Sequence, residues 1–357
     1  MNFEEYKKIF VEKAKENNYS ETDISRCLSY SEKLFANQVP VIYNTTHFSG
    51  LVGYRKSYLK RVSRHSSSIP YFYRRFSIPK KNGAGRIIHE PLPSLKEIQF
   101  WILKNILENV QVSVYATAYL RGVSILQNVK IHSKKKLVIS IDLENFFDSI
   151  RLESVEAIFK NLGYSNLLSN LFAKICCLYN RLPQGSPTSP YLSNIFLSDF
   201  DNKVGEYCKI NNLAYTRYAD DLTFSSNDAR FEYEKLLLFI DSEVNKVSLK
   251  INPAKTKVQT NQTQQIVTGI VVNQKAQVPR KKRNDIRNEM FYVKKFGLQE
   301  HVQRRNQRDE TQIDSYKYLK HLLGRVNYVL TINPKDEEFI GYKDHLYEIE
   351  KEYSVEG

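Results

Sequence analysis

Apolar positions along the chain switch between a spacing of three to four residues and strict alternation, and each switch marks an element. Phe3, Tyr6, Phe10 and Ala14 predict an N-terminal helix. Within a stretch rich in Lys, Arg and Tyr, YRRFSIPKKNGAGRII predicts two strands around KKNGAG, whose glycines mark a hairpin tip. Leu95, Ile98, Trp101, Ile102 and Ile106 then share one helical face. KKKLVISID predicts a buried strand ending at Asp142, and LESVEAIFKNLG an amphipathic helix closed by Gly163. In SPTSPYLSNIFLSDF, Ser189 is expected as the N-cap and Pro190 as the first helical residue. That helix is expected to bury Leu192, Ile195, Phe196 and Phe200. YTRYADDLTFSS reads as a hairpin: Tyr215, Arg217 and Ala219 alternate with Thr216 and Tyr218, and Leu222 and Phe224 with Thr223 and Ser225. A helix over residues 231–247, short strands near Val258 and over residues 265–272, and a basic, mostly helical tail from Arg280 follow. The polar run NQRDETQ, residues 306–312, is expected to be a flexible joint. Hairpins mixed with helices predict an α+β core, with helices on one face of the sheet.

Charge narrows the partner. The chain of 357 residues carries a formal net charge of +14, which points to a polyanion, nucleic acid before an anionic membrane surface. No run approaches the roughly 18 apolar residues of a membrane span. The opening MNFEEYKKIFVEKAKENN is charged and lacks the apolar centre of a signal peptide. Cys27, Cys176, Cys177 and Cys208 form no metal-ligand spacing, and the expectation is a reduced, cytoplasmic setting.

Asp220 and Asp221 raise the chemical question. Adjacent aspartates at a hairpin tip suit a solvated turn, because Asp bonds its own backbone. That is the commoner case, but they also suit a site for a hard divalent cation, since paired carboxylates repel unless a cation lies between them. The second reading needs a third carboxylate, and Asp142 at the end of its apolar strand is the candidate. Three carboxylates could hold two magnesium ions roughly 3.5–4 Å apart and serve phosphoryl transfer.

IDLENFFDSI, LPQGSPTSP and YTRYADDLTFS resemble, in order and spacing, the central motifs of reverse transcriptases. FSIPKKNGAGRIIHEP is similar to the hairpin that holds the incoming triphosphate, and INPAKTK to the segment after the catalytic hairpin. The resemblance implies a right-hand polymerase fold: N-terminal region and fingers over residues 1–135, palm over 136–279, and a mostly helical thumb over 280–357. It implies Asp142, Asp220 and Asp221 as catalytic metal ligands for two Mg²⁺ ions, with the Leu143 carbonyl as a further ligand. Phe147 matches an aromatic gate whose ring leaves no room for a 2′-hydroxyl, with core filling as the plainer alternative. Arg86 and Lys80 would clamp the triphosphate of a deoxynucleoside triphosphate. Gln184 and Gly185 would pack against nucleotide and template, with Gly allowing close approach. Lys255 is either the donor that protonates the leaving pyrophosphate or a surface lysine.

Two stretches narrow the type. Val267-Thr268-Gly269 resembles the VTG signature of bacterial retron reverse transcriptases. SILQNVKIHSKKK resembles their NAxxH signature, with Asn128 and His132 kept and Val129 in the place of Ala. The resemblance implies a cognate structured noncoding RNA as partner, engaged by Asn128, His132, Val267, Thr268 and Gly269, and an RNA-linked DNA product. It further implies an accessory effector protein, a role in antiphage defence and no membrane partner. Another bacterial reverse transcriptase class is the rival, and a non-catalytic RNA-binding protein a remoter one.

Overall fold

The computed structural model describes residues 2–64, 71–79, 83, 85–310 and 312–355. An antiparallel hairpin pairs β1 (Tyr73–Pro79) with β2 (Gly85–Pro91), and Gly83 at its tip takes φ +80°. The central sheet has four antiparallel strands in the order β4–β5–β3–β6: β3 (Leu137–Leu143), β4 (Ala214–Tyr218), β5 (Asp221–Ser226) and β6 (Ile251–Thr260). Period-two alternation along β3 splits its side chains between two cores. Leu137, Ile139, Ile141 and Leu143 enter the larger one, built with helices that include Pro93–Asn105, Leu152–Asn161, Asn166–Cys176 and Tyr233–Lys246. Phe172 sits within it, edge-on to Phe48 at 4.9 Å and to Phe159 at 5.3 Å. Val138 points the other way, into a second core with Val129, Val267 and Ile270 and the C-terminal helices. Asp142 lies on this second face of β3, in step with Val138 and Ser140.

Four expectations are corrected. Thr188, not Ser189, holds the N-cap position of the Ser189–Phe196 helix; Ser189 is already helical, with its buried hydroxyl unpaired among the described residues. The chain re-turns at Leu197, so Phe200 is buried by the next helix, Ser198–Ile210, while Ile195 and Phe196 stay half-buried. Residues 265–272 form not one strand but a minimal hairpin, β7 (Ile266–Val267) and β8 (Ile270–Val271). Thr268 and Gly269 both take positive φ, +45° and +83°, as a two-residue turn between right-twisted strands requires. The expected joint at residues 306–312 starts inside the Leu298–Asp309 helix, which ends within it at Glu310, φ +50°; Thr311 lies outside the described residues. Asn306 ties its far side back, donating to the Ile313 carbonyl at 2.9 Å and accepting from the Ile313 amide at 3.0 Å. Among the described residues no helix is long and apolar enough to cross a membrane.

Candidate active site

Strand register brings the distant aspartates together. Asp142 is the direct partner of Asp221 across the β3–β5 ladder, so their side chains leave the same face as neighbours. Asp220 occupies the two-residue link before Asp221, after Ala219 at φ +59°. The Leu143 amide donates to the Asp220 carbonyl at 3.0 Å and fixes the link to β3. On its other side Leu143 pairs with Ile251 of β6. Burial pushes the Asp221 carboxyl up to about 6, and repulsion from Asp220 and Asp142 adds to the effect. Burial, with repulsion from Asp142, also raises Asp220.

Lys255 from β6 grips the third carboxylate, donating to both Asp142 oxygens at 2.8 and 2.9 Å. That hydrogen bond raises the lysine's own pKa. Asn252 adds a bond to Asp142 Oδ1 at 3.2 Å. Among the described residues no three His, Cys, Asp or Glu side chains converge closely enough to hold one ion, and the Asp142 carboxylate is instead engaged by Lys255 and Asn252. The donor set still fits a hard divalent cation: all oxygens, mutually repelling, and already drawing in the Lys255 ammonium as a cationic stand-in.

The hairpin tip rests on a buried ion pair. Arg217 and Asp201 are both fully buried. Arg217 donates to Asp201 through Nε at 2.8 and 3.1 Å and through Nη2 at 2.7 Å. Its Nη1 donates to Asn194 Oδ1 at 3.0 Å and to the Ala219 carbonyl at 3.2 Å, one residue before Asp220. Arg217 was legible as an inward position in the alternation of β4, and a cation placed inward demands a partner. Asp201, on a separate helix, gave no comparable sign.

A cleft of about 390 Å³ gathers Arg86, Phe147, Gln184 and Gly185, together with Tyr119 and Phe100. Arg86 is close enough to Asp220 to act on its charge. Lys80 lies outside the described residues. Phe147 is half-buried, its ring 6.4 Å from that of Tyr119, whereas Phe146 is buried in the core. Tyr119 was missed; it stands at φ +64°, and burial pushes its hydroxyl up to about 12. Gly185 also admits a protein neighbour. At φ +120° a Cβ there would meet the His89 carbonyl at 2.7 Å, and His89 N–H donates to the Gln184 carbonyl at 2.7 Å. One close approach here is to β2, and it locks this loop to the β1–β2 hairpin.

The two signature stretches meet each other. Asn128 donates to Thr268 Oγ1 at 3.2 Å and accepts from Thr117 and Thr216 hydroxyls at 2.9 and 2.7 Å. His132 bonds Ser225 through Nδ1 and Thr216 through Nε2, both at 2.8 Å. Asn128, His132 and Val267 are fully buried, and the polar groups of Asn128 and His132 are satisfied by protein partners. Thr268 is half-buried and Gly269 exposed. Further along, Lys282, Lys320, His321, Arg325 and Tyr328 line a groove of about 500 Å³ between the Arg280–Phe296 and Ser315–Ile332 helices.

Residues 78–308 match the reverse transcriptase (RNA-dependent DNA polymerase) family. The retron Ec86 reverse transcriptase of Escherichia coli is 37% identical over 224 residues, which cover 62% of this chain and 70% of that protein. The retron Ec83 reverse transcriptase of the same species is 38% identical over 170 residues, 44% of this chain and 53% of that one. The retron Mx162 reverse transcriptase of Myxococcus xanthus is 32% identical over 228 residues, 56% of this chain and 47% of the relative. The chain therefore belongs to the reverse transcriptases, RNA-directed DNA polymerases, and within them to the bacterial retron type.

Proposed function

We propose that the chain copies its own structured noncoding RNA into single-stranded DNA that stays linked to RNA, joining deoxynucleotides at the carboxylate end of the sheet. The observation that carries this reading is the register that sets Asp142 opposite Asp221 and next to Asp220, within electrostatic reach of Arg86 in the cleft. Divalent metal ions are general to the family. Asp142, Asp220, Asp221 and the Leu143 carbonyl would hold two magnesium ions, which when bound lower the pKa of the attacking hydroxyl and neutralise the leaving pyrophosphate. Arg86, with Lys80, clamps the triphosphate, and its planar fork favours bidentate contact. Phe147 lies flat under the sugar and excludes a 2′-hydroxyl, while Gln184 and Gly185 wall the nucleotide. Lys255 leaves Asp142 to protonate the pyrophosphate. In this reading residues 1–135 form the fingers, 136–279 the palm and 280–357 the thumb, whose cationic groove follows RNA phosphates. An accessory effector, antiphage defence and a cytoplasmic setting complete the proposal, and they follow from the resemblance of the Asn128–His132 and Val267–Gly269 stretches to retron signatures and from the cysteine pattern.

Primer extension on an RNA template tests it. Asp220→Asn and Asp221→Asn should each lower DNA synthesis on the order of a hundredfold or more while circular dichroism and RNA binding persist. Phe147→Ala in the same assay should raise ribonucleotide incorporation. Full synthesis by both aspartate variants would remove the catalytic assignment, and an unchanged sugar preference would remove the gate.

A further inference from the structure

The Arg280–Phe296 helix buries Ile286, Met290 and Val293, yet exposes two large rings on its outer face. Phe291 is 58% exposed and Tyr292 47%. Helical periodicity puts Phe291 with Lys295, and Tyr292 with Phe296, one turn apart. Two neighbouring rings lie nearly parallel to Tyr292, Phe296 at 6.2 Å and 10° and His301 at 6.0 Å and 5°, while Phe291 meets it edge-on at 5.4 Å and 75°. His301 is held in that attitude by its Nε2 bond to the Tyr318 hydroxyl at 3.0 Å. Cations rim the rings. Arg304 lies 4.1 Å over Phe296, and Lys295 5.2 Å from Phe296 and 5.7 Å from Phe291. Arg304 shares an exposed pair with Glu300, which is weak in water. Lys295 has no ion-pair partner among the described residues.

We infer that this face is a stacking platform for unpaired bases of a single-stranded nucleic acid. Parallel ring faces offer what a splayed base needs, and adjacent cations take the phosphates between bases. A duplex cannot use the rings, because its bases are already stacked on one another and A-form helices are met through phosphates, 2′-hydroxyls and shape. Between Arg280 and Asp309 ten Lys and Arg stand against four Asp and Glu, which favours a polyanion over an apolar protein surface. The inference rests on the reading that the chain handles RNA. It adds a third contact, apart from the carboxylate end of the sheet and from the groove of Lys282 and Tyr328.

Fluorescence anisotropy on the full chain at one fixed salt concentration tests it, with three labelled probes: a short oligoadenylate, an abasic strand of equal length and an annealed RNA duplex. The unaltered chain should bind oligoadenylate on the order of tenfold more tightly than the abasic strand. Phe291→Ala with Tyr292→Ala should erase that preference and leave duplex affinity as it was. Tyr292→Leu, which keeps apolar bulk on an exposed position, should lose most of the preference and so separates stacking from folding. Equal binding of base-bearing and abasic strands by the unaltered chain overturns the platform, as does survival of the preference in the double variant. DNA synthesis by the unaltered and Asp220→Asn chains is read separately on an annealed primer–template. Failure of the polymerase reading therefore shows there and not in the anisotropy ratio.

Discussion

Arg217 shows how a single buried charge can serve a site it does not touch. Its guanidinium is neutralised by Asp201, which also accepts from the Tyr215 hydroxyl at 2.8 Å, and it spends its last bond on the Ala219 carbonyl. Breaking such a pair leaves one charge unpaired in low dielectric, which costs more than the pair itself contributes. Arg217→Met should lower unfolding stability by about 3–5 kcal/mol, read as a shifted urea midpoint. Arg217→Met with Asp201→Leu should recover much of that loss, because no orphaned charge remains. A single variant as stable as the parent would mean that water or another group compensates Asp201. The residue is legible in sequence only as an anomaly, a cation at an inward position of a strand, since alternation fixes the direction but not the partner.

At the scale of elements, the helix Ile125–Lys130 and the β7–β8 hairpin dock on each other and on β4 and β5 through Asn128, Thr268, Thr216 and His132. Such a joint sets how the C-terminal helices sit on the sheet, because Val129, Val267 and Ile270 belong to their core. Asn128→Ala with His132→Ala should therefore lower the thermal midpoint and depress synthesis on a cognate RNA and on a generic primer–template alike. Loss on the cognate RNA alone would return these residues to recognition. Burial pushes His132 down to about 3. The folded joint thus refuses a proton that the unfolded chain accepts near 6.5, so this contribution is intact above that pH and is lost progressively as pH falls toward 3.

Across the whole molecule the sheet end concentrates negative charge in a chain whose net charge is +14. Asp221 has its folded pKa raised from 3.8 to about 6, so its ionised form weighs against folding above that value and the burden lifts as pH falls. A divalent ion bound to the ionised carboxylates relieves the same burden. Magnesium should raise the thermal midpoint clearly at about pH 8 and much less at about pH 5. The effect should vanish in Asp221→Asn with Asp142→Asn. A shift of equal size at both pH values would place the ion elsewhere.

Local pattern determined a great deal here. Period and turn chemistry identified the β1–β2 hairpin, the apolar strand that carries Asp142, the helix ended by Gly163 and the hairpin whose tip holds Asp220 and Asp221, because each depends on neighbours within a few residues. The motifs around Asp142, Gln184 and Asp220 carried the family. What sequence left open were relations between segments far apart: the pairing of Asp142 with Asp221, the grip of Lys255 on Asp142, the Arg217–Asp201 pair and the use of Gly185 to admit β2. It also gave no sign that Asn128 and His132 are buried, since a polar side chain looks the same whether it faces RNA or a buried hydroxyl. Chain pattern specifies which face a side chain leaves, and only the packed tertiary structure specifies what stands opposite, because register and burial are set by the sum of many distant contacts.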